Sequence, residues 1–324
     1  MSQRRTLLKA ALPLALGAAA WPAWSQAAYP ERPIRLVVPF PAGALTDSLG
    51  RMVAERLRGP LGQPLVVENR PGAGTLLGAS TVAKSAPDGY SLLVATSTTL
   101  AISPAMYATP PALPSDFTGV ALLGTVSFLL VTRKDLPVQT LPELVAEMRR
   151  QPGQLNFGSP GTGTMHHLLV EMLKAQEKVD AAHVPCQGSM AALTDLVTGR
   201  IDFMFLDAVA ALPQIAAGKI KVIAVAGTAR LPALPNVPTL MESHPKIDVH
   251  AWQAVVAPKG TPPAVVQQLN KEINATFATP EGREALMKVG VAATPLSVKA
   301  LNEMMARDDK RLGDLVRSLG LKAG

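Results

Sequence analysis

A single cysteine, Cys186, stands in 324 residues. No intrachain disulfide is possible, so the core must hold by packing rather than by cross-links. Aromatic residues make up only 4% of the chain. That shortage excludes the stacking platforms that grip single-stranded nucleic acid or sugar rings, and it leaves the core to Leu, Val, Ala and Ile. Apolar residues still reach 48%, ample for a large core. No run of Lys or Arg supports a nucleic-acid surface. One local shortage is more pointed. In IRLVVPFPAGALTDSLGRM (Ile34 to Met52), an apolar strand-like run enters a turn of small residues and leaves with helical spacing, and no Lys or Arg occurs from Pro41 to Gly50.

The N-terminus is set apart by its layout. Arg4, Arg5 and Lys9 precede an apolar stretch and then small residues, the pattern of an export leader, with cleavage expected after Ala27. RRTLLK resembles a twin-arginine signal, and an ordinary secretory leader is the alternative. Pro13, Pro22 and the short apolar run suit a retained spanning anchor poorly. No cysteine sits at the cut, which argues against a lipid anchor. Residues 1–27 hold three of the 31 basic residues and none of the 24 acidic ones, so the mature chain carries 28 against 24, a net of +4. A soluble periplasmic protein is expected, and its mild positive balance favours anionic solutes.

The length allows about two domains. Strand-like segments (34–40, 65–68, 91–96, 120–131, 155–158, 201–206, 220–226 and 252–257) alternate with helix-like ones (45–58, 74–84, 140–150, 164–176, 189–198, 208–217, 263–278 and 297–318). This alternation predicts an α/β protein with mostly parallel sheets covered by helices. Continuous apolar strands such as SLLVAT and IKVIAVAG suit burial on both faces.

Ligands of open α/β sheets bind beyond the carboxyl ends of strands. Three such junctions are built of small or hydroxylated residues: FPAGALTD (Phe40 to Asp47), ATSTTLAIS (Ala95 to Ser103) and FGSPGTGTMHHL (Phe157 to Leu168). A helix start leaves about four N–H groups unpartnered and carries partial positive charge. Small residues let an anion approach those amides, so no cationic side chain is required. The dipole supplies only about 0.3–1 kcal/mol, whereas micromolar affinity needs about 8 kcal/mol. Charge-assisted hydrogen bonds of about 1.5–3 kcal/mol each must provide the rest, so amides and hydroxyls from both loops have to converge.

Other patterns fail. GSPGTGT lacks the lysine of a phosphate loop, and Gly72, Gly74 and Gly78 in PGAGTLLG have the wrong spacing for a dinucleotide turn. His167 and Glu171 have metal-ligand spacing but no third ligand, and a capping or packing role suits His167 better. His183 near Cys186 suggests a thiol nucleophile but lacks an orienting group, and Ser189 lacks a nucleophile elbow. Asp47 lies in a first helical turn, where it either balances the dipole or contacts a ligand's ammonium or hydroxyl.

The segments YPERPIRLVVPFPAG…TD, VENRPGAG, PDGYSLLV, FGSPGTGTMHHL, HVPCQGS, GRIDFMF, LPNVPTLMES and APKGTPP, in this order, resemble the periplasmic solute-binding proteins of tripartite tricarboxylate transporters, the Bug or TctC-like family. The resemblance covers essentially the whole mature chain. It implies a type II periplasmic-binding-protein fold: two α/β domains with a ligand cleft between them. Domain 1 is expected at 28–123 plus 254–324 and domain 2 at 124–253, with crossings near 120–131 and 252–257. It also implies a small carboxylate ligand, no cofactor, no metal, no enzymatic activity, a two-component membrane permease as partner, and a monomer. The expected ligand-binding residues are Phe40, Ala42, Gly43, Ala44, Asp47, Ser97, Thr98, Ser159, Gly161, Thr162, Gly163, Thr164, His167 and Asp207. Rival readings are a sensor for a signalling partner and a dinucleotide- or thiol-dependent enzyme. The chain departs from the family pattern at Ala44 (usually glycine), at Cys186 and Gln187 (usually Tyr-Lys), and at Leu206, which displaces the usual aspartate to Asp207. These departures bear on the ligand and point toward an apolar or less charged solute.

Overall fold

The computed structural model describes residues 29–227, 229–247 and 251–322. The expected leader and its cleavage point lie outside these residues.

The first lobe begins with β1 (Ile34–Val38), α1 (Leu45–Leu61), β2 (Leu65–Asn69), α2 (Leu76–Ala83), β3 (Ser91–Thr96) and β4 (Phe117–Val126). The second contains β5 (Phe128–Arg133), α3 (Leu141–Arg150), β6 (Asn156–Ser159), α4 (Met165–Glu177), β7 (Ala182–Pro185), α5 (Ser189–Val197), β8 (Phe203–Asp207), α6 (Ala208–Ala216) and β9 (Ile220–Ala226). The chain then returns through β10 (Ala251–Pro258), α7 (Pro263–Ala278), α8 (Pro280–Lys288), β11 (Val291–Ala292) and α9 (Val298–Ser318).

Two sheets result, in the orders β11-β4-β10-β3-β1-β2 and β7-β6-β8-β5-β9. They are mixed rather than mostly parallel. β1 is parallel to β2 and β3, and β6 to β7 and β8, but β10 runs antiparallel to β3 and β4, and β5 to β8 and β9. The reason lies in the crossings. Parallel neighbours need a covering crossover, whereas a strand arriving directly from the other lobe can insert in the opposite sense. The apolar run 120–131 is two strands: β4 ends at Val126, and after Ser127 the chain enters the second sheet as β5. β10 belongs wholly to the first sheet, starting with Ala251 opposite Val126.

Helices pack by apolar stripes. In α1 the buried positions include Leu49, Val53, Leu57 and Leu61, one turn apart, and in α9 Leu301, Met305, Leu312 and Val316. α9 lies on β4, where Asn302 Oδ1 accepts from Gly119 N–H at 3.0 Å, and Asp308 accepts from the indole of buried Trp252 at 2.8 Å. This clamp keeps the C-terminal helix with the first lobe. Both lobes therefore present the ends of β1, β3, β6 and β8 toward a shared gap.

Candidate ligand-binding site

The first junction is fastened from beneath. Asp47 is only 3% exposed and accepts from Gly43 N–H (2.9 Å), Arg51 Nε (3.0 Å) and Asn69 Nδ2 (2.8 Å). Burial would raise its pKa, but Arg51 and the hydrogen bonds from Gly43 and Asn69 hold it below the usual carboxylate range. Asn69 also donates to Phe40 O at 3.1 Å. In the structure Asp47 shapes the loop and lines neither the 40 Å³ nor the 570 Å³ cavity. Gly43 takes φ +82°, which favours glycine, whereas Ala44 takes an ordinary extended φ of −71°. The alanine therefore falls on the position that tolerates a methyl group without backbone strain.

The second junction is fastened by its own hydroxyls. Thr164 caps α4, accepting from His167 N–H at 3.4 Å and donating to Gly161 O at 2.8 Å. Ser159 is fully buried, accepts from Gly161 N–H (3.2 Å) and shares a 2.7 Å hydrogen bond with His183 Nε2. Gly163 has φ +79°, and a Cβ there would lie 2.4 Å from Met106 Sδ. The third junction winds into a π-helical turn (Thr98–Ile102), with Thr96 Oγ1 accepting from Thr99 N–H at 3.1 Å. It reaches across the gap: Met165 N–H donates to Thr98 Oγ1 at 3.0 Å, while Ser103 Oγ donates to Gly74 O at 2.5 Å and lies 3.3 Å from Gly163 O.

Besides a cavity of about 220 Å³ between Gly43, Ala44 and Ser48 on one side and Ser189, Asp207 and Val209 on the other, two cavities lie where the junctions meet. The smaller, about 40 Å³, is walled from the first lobe by Phe40, the start of α1 (Ala44, Leu45, Thr46), Thr96, Ser97, Thr98, Ala251, Trp252 and Gln253. From the second lobe come Phe128, the start of α4 (Thr164, Met165, His166), Ser189 and Asp207. The larger, about 570 Å³, is walled by Pro39, Phe40, Pro41, Gly72, Gly74, Thr75, Ser103, Met106 and Tyr107, and opposite by Gly161, Thr162, Thr164, Cys186, Gln187 and Gly188, among others. Phe40 and Thr164 line both, and neither wall contains Lys or Arg.

Of the expected site residues, Phe40, Ala44, Ser97, Thr98, Thr164 and Asp207 meet at the small cavity, and Phe40, Gly161, Thr162 and Thr164 at the large one. Ala42 and Gly43 are exposed at the loop tip, and Ser159, Gly163 and Asp47 support the loops from behind. His167 is displaced as well. Its ring stacks on His183 at 4.0 Å between centroids, and its Nδ1 accepts from Gly163 N–H at 3.3 Å. Burial, with Lys174 nearby, lowers its pKa to about 4; burial and His167 lower that of His183 to about 4.

The histidine that does face the gap is its neighbour. His166 is 8% exposed and packs edge-on to Phe128 with centroids 4.5 Å apart. Its Nε2 lies 3.5 Å from Asp207 Oδ2, and neither ring nitrogen has a hydrogen-bond partner. Asp207 accepts from Ser189 Oγ at 3.1 Å. Burial would raise its pKa, yet His166 and Ser189 keep it below the usual range. Thr46, Gln253 and Ser189 were also missed as wall residues; only long-range packing brings them in, as in the 3.3 Å bond from Thr46 Oγ1 to Gln253 Oε1. In the large cavity Thr75 has φ +82° and a buried hydroxyl without a partner.

The thiol reading finds no support. Burial and Asp195 push the Cys186 pKa up to about 11, so at neutral pH it is a protonated wall residue. Among the described residues no group of three or more His, Cys, Asp or Glu is placed to hold a metal ion, and no helix is long and apolar enough to cross a membrane.

Comparison with known proteins agrees with this geometry. The model of the tripartite tricarboxylate transporter family receptor, TctC, matches residues 49–321. BugT of Bordetella pertussis is 35% identical over 303 residues, covering 91% of each chain. Among solved structures, R. palustris Rpa4515 with adipate superposes with a TM-score of 0.85 at 32% identity, covering 91% of this chain and 99% of that one. MatC (Rpa3494) of Rhodopseudomonas palustris with bound malate gives 0.83 at 33% identity, covering 89% and 100%.

Proposed function

We propose, from the premise that the chain belongs to the tripartite tricarboxylate transporter receptor family, that it captures a small organic carboxylate in the periplasm and hands it to a two-component membrane permease. The observation that carries this reading is the small cavity between the lobes, where the starts of α1 and α4 face each other. Two helix starts offer amides and partial positive charge to one carboxylate. The absence of Lys and Arg from both walls fits recognition by main chain and hydroxyls. That similar proteins hold adipate and malate supports the same ligand class here.

In this reading the protein works as a monomer without a cofactor and releases its solute unchanged. The lobes open and close about the path at Ser127, between β4 and β5. Thr98 latches onto the start of α4 when the lobes meet, accepting from Met165 N–H. Such a neutral latch bond contributes about 0.5–1.5 kcal/mol, too little to hold the lobes shut alone. The bound acid adds the decisive contacts and shifts the population to the closed form, which the permease would recognise. The test is native mass spectrometry of the purified mature protein, followed by thermal shift with a carboxylate panel. A co-purified acid, or a melting point raised by acids and not by neutral analogues, is expected. A panel without any effect and a co-purified cation or nucleotide would overturn the reading.

A further inference from the structure

The turn from Ser159 to Thr164 walls the cleft from the second lobe, and its tip meets the first. A Cβ added at Gly163 would collide with Met106 Sδ, and two residues on, Met165 N–H donates to Thr98. The turn has no room to move toward Met106, so its place is set from behind. There Gly163 N–H donates to His167 Nδ1 at 3.3 Å. An amide can only donate, so Nδ1 is unprotonated and the neutral ring carries its hydrogen on Nε2, which lies 3.8 Å from Glu171 Oε1. His183 stacks on the ring with centroids 4.0 Å apart and fixes its plane, while its own Nε2 shares the 2.7 Å bond with Ser159 at the root of the same turn. The titratable groups facing the ring are Glu171 and Lys174 on its own helix and His183 on β7; from β6 comes only the uncharged Phe157. Lys174 pairs with Glu171 at 2.9 Å and with Asp180 at 3.3 Å. Burial first, and Lys174 second, disfavour a proton on His167 and hold its pKa at about 4.

We propose that His167 is a positioning residue of this cleft: its neutral ring holds Gly163, and through it the turn that closes on the solute, so that a proton on Nδ1 releases the turn and lowers affinity for the bound acid. This rests on the carboxylate reading above and adds a control to the same site. The ring touches no solute. It acts through one amide, at the point where the turn meets Met106. A proton on Nδ1 would set two N–H groups against each other and leave the Gly163 amide without an acceptor, a cost that a buried group avoids by moving. The sign follows from linkage. The closed, loaded form excludes the proton, whereas a relaxed turn admits it. Protons therefore favour the open, empty protein. Binding is at full strength at neutral pH and weakens as pH falls from about 6.5, the ordinary histidine value, toward 4.

The test uses the mature protein, with adipate and malate as probes in calorimetry. His167→Leu, which removes the acceptor, should weaken a bound acid about tenfold at pH 7.5, the worth of one hydrogen bond. His167→Asn, whose Oδ1 accepts in place of Nδ1 and takes no proton, should recover most of that loss. Between pH 6.5 and 4.5 the wild type should lose about tenfold more affinity than His167→Asn. The acids' own protonation is common to both proteins and cancels, and a melting curve at each pH confines the comparison to folded chains. A second readout needs no solute. In protein labelled with ¹⁵N-glycine, the Gly163 amide signal should titrate over the same range in wild type and stay flat in His167→Asn. Parallel pH declines in wild type and His167→Asn would overturn the proposal and leave carboxylate binding standing. Equal losses in the Leu and Asn variants would reduce His167 to packing, and overturn it too. If neither acid bound the wild type, the carboxylate reading would fail, while a Gly163 signal indifferent to pH would overturn the proposal on its own.

Discussion

Two neighbouring cavities of the cleft differ more than tenfold in volume, about 40 against 570 Å³, and they differ in kind. The small one is a meeting of helix starts, hydroxyls, one imidazole and one buried carboxylate from both lobes. The large one is mostly proline, glycine and apolar side chains, with no charge on its wall. Such a division suits a solute with one polar end and one bland end. Chemical recognition belongs to the small cavity, where closure excludes water and each hydrogen bond counts for more. Tolerance belongs to the large one, where shape matters and charge is disfavoured.

Filling the small cavity is the harshest test of that division. Ser97→Leu adds apolar bulk where the carboxylate is expected. Overpacking costs about 1–3 kcal/mol of stability, but affinity for any bound acid should fall by about a hundredfold or more, close to 2.7 kcal/mol. Calorimetry read beside a melting curve separates the two effects. An unchanged affinity would place the acid elsewhere.

A second comparison lies inside the first, between His166 in the wall and the stacked pair His167 and His183 behind it. The pair is held near pKa 4 in the fold, against an ordinary 6.5. The unfolded chain thus binds more protons between these values, so stability falls as pH drops from about 6.5 toward 4. The slope is at most about 1.4 kcal/mol per pH unit for each histidine, and less for the partly exposed His183. Denaturant melts from pH 7 to 4.5 on wild type and His183→Gln should show a shallower decline in the variant. Equal declines would remove the pair from the account.

The gentlest change sharpens the contrast from the other side. Gln187 lines the large cavity from an exposed position. Gln187→Lys should leave stability within about 0.5 kcal/mol of wild type. It should favour adipate over hexanoate by about tenfold more than wild type does, the worth of one charge-assisted hydrogen bond. No change in that ratio would mean that the tail of the solute lies outside the large cavity.

Much of this was legible in the chain because it depends on local chemistry. Small residues at a strand–helix junction mark a place where backbone can approach a ligand, and FPAGAL and SPGTGT read that way before any fold is known. The α/β class follows from the alternation of apolar strands with amphipathic helices. What was hidden depends on phase and on distance along the chain. His166 and His167 are adjacent, and a rotation of about 100° per residue decides which enters the gap and which joins the stack. His167 fits the packing role its sequence context allows, and the orientation of His166 toward the gap could not be read from spacing alone. Asp47 looked free to meet a ligand because Asn69, far along the chain, had not yet been placed beneath it. Antiparallel insertion of β5 and β10 was likewise invisible, being set by where the chain changes lobes.

The central claim is that helix starts from opposite lobes grip one carboxylate without a cationic side chain. A crystal structure of the mature protein with its bound acid measures this directly. The account predicts carboxylate oxygens within about 3 Å of main-chain N–H groups at the starts of both α1 and α4. An acid held by Lys or Arg, or lying away from both helix starts, would contradict it.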